Sequence, residues 1–107
     1  MKNQLGNLMR QAQMMQQRLA RMQEKLQQET CEGQSGGGMV KALVNGKHEL
    51  VSLAIEKDVI DPAEADMLQD LIVSAINAAH KNMQEKIQEE MSKVTGGVNI
   101  PGLNGIV

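Results

Sequence analysis

QSGGGMVKALVNGKHEL, residues 34–50, sets three consecutive glycines directly before a run in which apolar and polar side chains alternate. A phosphate loop of the Walker type follows a strand, closes on Gly-Lys-Ser or Gly-Lys-Thr and opens a helix. Here Met39 and Val40 follow the glycines and begin a strand, so order and content both argue against a nucleotide loop. The loose backbone of consecutive glycines suits a flexible connector through which a helical arm leaves a sheet. MVKALV and LVSLAI, joined through Asn45, Gly46, Lys47 and His48, read as a β-hairpin, because Asn-Gly readily takes the positive φ angles of tight turns. Val40, Ala42 and Val44 share one face, as do Val51, Leu53 and Ile55. The alternate positions, Met39, Lys41, Leu43, Leu50, Ser52 and Ala54, are only partly polar, which predicts a small sheet covered on both sides. A brief edge strand at Thr30–Glu32 completes three strands.

Upstream, Leu5, Leu8, Ala12, Met15, Leu19, Met22 and Leu26 recur at alternating spacings of three and four, the seam of a helix that packs on another helix. The other faces carry Gln and Arg, good helix formers, with only Gly6 to interrupt them. Downstream, DPAEADML carries a helix start: Asp61 as N-cap, Pro62 at the first helical position and Glu64 three residues after the cap. Leu68, Ile72, Ile76, Ala79, Met83, Ile87 and Val94 mark the stripe of a long second helix, widened by Met67, Leu71 and Ala75 and ended by Gly96 and Gly97. Helices of roughly 26 and 33 residues span about 39 and 49 Å, far more than a compact chain of this size with a radius of gyration of about 13 Å. The expectation is an α+β fold, an extended α-β-β-β-α protomer with a small antiparallel sheet. A single domain over 1–107 divides into an arm at 3–28, a sheet at 29–56, a helix at 62–94 and an uncharged tail at 95–107. Two such protomers, joined through the sheet and the wide half of the second helix, would leave paired arms reaching outward.

The 107 residues include no Phe, Tyr or Trp and nine Met, so the core is built from aliphatic side chains and no aromatic platform exists for stacking on bases. The net charge of −2 hides a polarity along the chain. From Met1 to Gln23 the charged residues are Lys2, Arg10, Arg18 and Arg21, with no acid, whereas Glu49 to Asp70 holds seven acids against Lys57 alone. One cysteine, Cys31, cannot form an internal disulfide, and with His48 and His80 scattered it supplies no metal-ligand cluster, which fits a reducing cytoplasm without a metal or other cofactor. No signal peptide and no membrane-spanning run is read.

Taken together, LGNLMRQAQMMQQRLARMQEKL, GQSGGGMVKALVNGKHELVSLAI and DPAEADMLQDLIVSAINAAHKNMQEK closely resemble the YbaB/EbfC family of bacterial nucleoid-associated proteins, over about Leu5 to Met91. The resemblance implies a tweezer-like homodimer in the cytoplasm and nucleoid that binds double-stranded DNA and serves nucleoid organisation or gene regulation. It carries no catalytic residues, and no Ser, His and Asp arrangement with a nucleophile motif is read, so neither an enzyme nor a small-molecule substrate is expected.

The individual DNA contacts are inferred from charge. Arg10, Arg18 and Arg21, on a helix free of acids as far as Gln23, suit phosphate oxygens and groove edges, with Lys2 and Lys25 extending the track. Lys81, Lys86 and Lys93 interleave with Glu85, Glu89 and Glu90 and read as a solvated face. The acids from Glu56 to Asp70 read as solvated helix-start residues that keep DNA off the body. Cys31 reads as a partly buried small residue, the two histidines as surface residues, and Met9, Met15 and Met22 as packing. The alternative function is a helical scaffold or chaperone-like clamp that grips protein through Met and Leu; single-strand or RNA binding is weakened by the lack of aromatics.

Overall fold

A computed structural model of the chain describes residues 2–94; Met1 and the expected tail at 95–107 lie outside the described residues. The element order is α1 (Lys2–Gln28), β1 (Thr30–Ser35), β2 (Val40–Asn45), β3 (Leu50–Ile55) and α2 (Ala65–Val94), an α+β architecture. The strands form one antiparallel sheet in the order β1-β2-β3. Its radius of gyration of 19.7 Å and extents of 74 × 23 × 16 Å follow from two helices far longer than the sheet is wide.

α2 lies across β1 and β2. The alternation of β2 turns Val40, Ala42 and Val44 toward the helix, where they meet Ala75, Ala79 and Met83, all six buried. Small residues set the spacing. A Cβ on Gly33 would collide with the backbone nitrogen of Ala79 and the carbonyl oxygen of Ala75, so β1 and the helix backbone touch where neither carries bulk. Asn82 Nδ2 donates to the Glu32 carbonyl at 2.8 Å, and Ser35 Oγ donates to the Leu71 carbonyl, pinning the helix along the strand. Each such bond contributes on the order of 1 kcal/mol.

The glycines at 36–38 do not join the arm to the sheet. β1 continues to Ser35, which pairs with Val40, so the glycines form the turn between β1 and β2, and the arm enters the sheet at Glu29 instead. Their φ angles of 60°, 66° and 94° are all left-handed, a path closed to side chains at three successive positions. Little in TCEGQS favours a strand; pairing with β2 and packing under α2 impose one.

The second turn also differs. Gly46, Lys47 and His48 form a three-residue loop closed by His48 N to Asn45 O and by Asn45 N to Glu49 O, both 3.0 Å. The left-handed residue is His48, at φ 64°, rather than Asn45 or Gly46. Asn45 braces the loop through its Oδ1, which accepts from Lys47 N at 2.9 Å and Glu49 N at 3.1 Å. Gly46 answers a different need, because a Cβ there would strike the carbonyl of Leu26 in the last turn of α1.

A bulge between Leu43 and Val44 sets Leu50, not Val51, opposite Val44, so the expected row Val51, Leu53, Ile55 is broken. Within one chain, α2 does not cover the whole sheet. Leu50, Val51 and Leu53 are 45%, 54% and 37% exposed, because α2 stops at β2 and leaves most of β3 bare. At the start of α2, Asp61 accepts from Ala63 N at 3.0 Å, and Pro62–Glu64 form a 3-10 turn before the α-helix begins at Ala65.

The packing predicts opposite outcomes for two glycines. Gly33→Ala must force β1 off α2 and is expected to cost about 2–3 kcal/mol. Gly6, with nothing within 4 Å of its added Cβ, gains helix propensity, so Gly6→Ala is expected to stabilise by up to about 1 kcal/mol. Urea unfolding of both variants measures the difference.

Candidate nucleic-acid interface

α1 is anchored at one end only. Met22 and Leu26 are buried at its base and Leu19 is half-buried, while Leu5, Leu8 and Met9 are 63%, 62% and 61% exposed. Some 27 residues make a rod about 40 Å long whose outer part stands clear of the body. At about 100° per residue, Arg10, Arg18, Arg21 and Lys25 fall within about 80° of one another and span about 22 Å of axis. The sequence-expected bases therefore form one narrow stripe, away from the Leu/Met seam. Arg10, Arg18 and Arg21 are exposed, and among the described residues no carboxylate forms an ion pair with them. Lys2 opens α1, but its side chain lies outside the described residues.

Lys25 is placed differently. Its Nζ lies 3.9 Å from Glu29, whose other oxygen is 3.0 Å from Lys86 on α2. One half-buried carboxylate thus holds a lysine from each helix where the arm leaves the sheet. The Glu29 hydrogen bond raises the Lys86 pKa above 10.5, against the opposing effect of desolvation. Nothing in the local run of Glu85, Lys86 and Glu89 marks Lys86 out, because its position beside Lys25 is set by how α2 packs. Lys93 pairs within its own helix with Glu90, at 3.2 Å, and Lys81 is exposed.

The acids from Asp58 to Asp70 are exposed around the start of α2. Lys86 lies sixteen or more residues further on, about 24 Å along the axis, so this acidic cluster is well separated from the Lys25–Lys86 junction. The fold also brings together His48 and His80, with ring centroids 6.0 Å apart, a contact that their separation in sequence conceals. Among the described residues no group of three His, Cys, Asp or Glu is placed to hold a metal ion. Cys31 is half-buried against the core. No described helix is long and apolar enough to cross a membrane.

Residues 1–98 match the YbaB/EbfC DNA-binding family. A nucleoid-associated protein of Caldanaerobacter subterraneus subsp. tengcongensis is 52% identical over 99 residues, covering 92% of this chain and 89% of that protein. Another nucleoid-associated protein, from Thermoanaerobacter pseudethanolicus, is 50% identical over 99 residues with the same coverage. Among solved structures, an uncharacterized protein from Helicobacter pylori superposes with a TM-score of 0.58 at 31% identity, over 73% of this chain and 90% of that one.

The raised Lys86 pKa fixes the sign of one pH effect. A cation stabilised in the folded state contributes fully below its unfolded pKa of 10.5 and loses that contribution as pH rises through the higher folded value. Lys86→Met is therefore expected to melt below the wild type at neutral pH, with the gap narrowing as pH rises through the raised Lys86 pKa. Thermal melts across that range measure it.

Proposed function

The chain belongs to the YbaB/EbfC DNA-binding family, and on that footing we propose that it acts as a homodimer that holds double-stranded DNA mainly by its backbone phosphates. The observation that carries this reading is the stripe of Arg10, Arg18 and Arg21 on a projecting helix, with no ion-pair partner among the described residues. Guanidinium groups spread over about 16 Å of rod, about half a turn of duplex, suit phosphate oxygens and, where the groove admits them, base edges. Lys25 extends the stripe at its inner end, and Lys2 adds a further base to the sequence of the arm. The role is non-enzymatic, in nucleoid organisation or gene regulation within the cytoplasm, as the names of the nucleoid-associated relatives suggest.

Dimerisation is supported by the bare apolar surface of the body. Leu50, Val51 and Leu53 on β3, Ile60 ahead of α2, and Met67 and Val73 on α2 are all more than a third exposed, a poor state for a chain with so small a core. A twofold pair joined there buries this surface and presents two arms to one duplex. A second reading, a clamp for protein partners, is favoured by the bare Leu5, Leu8 and Met9 of the arm seam.

Titration of duplex DNA through a salt series separates the two. If a dimer neutralises about six phosphates, the log-log salt slope is about −5. Replacing Arg10, Arg18 and Arg21 together by Glu is expected to abolish duplex binding, by more than about a hundredfold, while leaving any protein capture intact. Binding unchanged by that substitution, or absent at low salt, would overturn the reading. Leu53→Glu is expected to convert the dimer to a single chain in sedimentation at micromolar concentration.

A further inference from the structure

Between the arm and the body, two lysines from different helices converge on one acid. Glu29 lies in the single residue that separates α1 from β1. Its backbone N–H donates to the Leu26 carbonyl at 3.1 Å, which holds its backbone against the last turn of α1. One carboxylate oxygen lies 3.0 Å from Lys86 and the other 3.9 Å from Lys25, which closes the basic stripe of α1. The lysines remain accessible, with side chains 36% and 72% exposed. A carboxylate bridging two ammonium groups occupies the place and carries the charge that a phosphodiester oxygen pair would offer them.

We propose that Lys25 and Lys86 form a phosphate subsite at the base of the arm, and that the Glu29 carboxylate occupies it in the free protein and competes with the DNA backbone for it. This rests on the reading of α1 as a duplex-binding arm and deepens it. The stripe is extended onto α2, and its innermost contact is held in reserve by an internal anion. Because the pair is solvent-accessible, the competing ion pair is weak enough for a polyanion to displace. Bound phosphate also leaves the α1–α2 contact bridged, since the same two lysines then share the DNA oxygen in place of Glu29. Affinity at this end of the arm is thereby set by one acid that touches no DNA itself.

Glu29→Gln keeps the shape and the acceptor oxygen but removes the competing charge. On a duplex of about 30 base pairs, the variant is expected to bind about three- to tenfold tighter than the wild type at about 100 mM salt, with the log-log slope steeper by about 1 to 2. Its melting temperature is expected to fall, so that stability and affinity move in opposite directions. Glu24→Gln, which removes an exposed acid from the same helix, serves as the control and is expected to give under about a twofold gain. Adding Lys86→Gln to Glu29→Gln is expected to return affinity and slope to near the wild-type values. If Glu29→Gln binds like the wild type, if Glu24→Gln matches its gain, or if the double variant keeps that gain, the subsite is overturned. Wild-type protein that ignores duplexes at low salt would instead overturn the duplex-binding reading itself.

Discussion

The backbone contact between β1 and α2 fixes the rest of the molecule. Gly33 allows it, and Ala75 and Ala79 on the helix add almost no bulk where the two elements cross. Once α2 rides this low, Met83 fills the remaining space over β2, Asn82 and Ser35 secure the strand, and the C-terminal half of the helix emerges beside the base of α1. Lys86 meets Glu29 only because of that crossing. A bulkier residue at any of these three positions lifts the helix and moves the junction with it.

The long elements were legible because their cues are periodic. The Leu/Met seam of α1, the alternation of β2 and the Asp61-Pro62 start before α2 each depend on neighbours within a few residues, and each has its counterpart in the structure. β1 was less legible, because Glu32, Gly33 and Gln34 carry no strand preference and are extended only by what lies beside and above them. The role of the glycines is hidden for the same reason: a β1 that ends at Glu32 leaves no strand for a turn at 36–38 to join to β2. The bulge at Val44 and the left-handed His48 arise from register and loop closure, which composition does not encode. At the candidate interface, the arginines stood out by charge alone, whereas Lys86 lay hidden among the glutamates of its own helix.

Charge is sorted by position along the molecule rather than by excess. Arg10, Arg18 and Arg21 occupy the part of the rod that carries no acid, whereas Asp58, Asp61, Glu64, Asp66 and Asp70 cluster before and in the first turns of α2. At physiological ionic strength fields fade over about 8 Å, so separation by tens of ångströms makes the two regions nearly independent. A net charge of −2 therefore says little about what the arm meets. The same sorting lets the proposed DNA reading coexist with an acidic body that repels the duplex from everything but the arms.

The attachment of α1 by its last turns alone makes it a lever. Arg10 lies about 24 Å along the axis from Leu26, so a tilt of only about 5° at the Leu26–Gly46 contact carries it about 2.1 Å, the difference between reaching an oxygen and missing it. Angular play at this fulcrum is limited by the fit of Leu26 against Gly46, where even a methyl group would not fit. The tolerance of the arm tips is thus decided at the opposite end of the helix, by atoms that carry no charge.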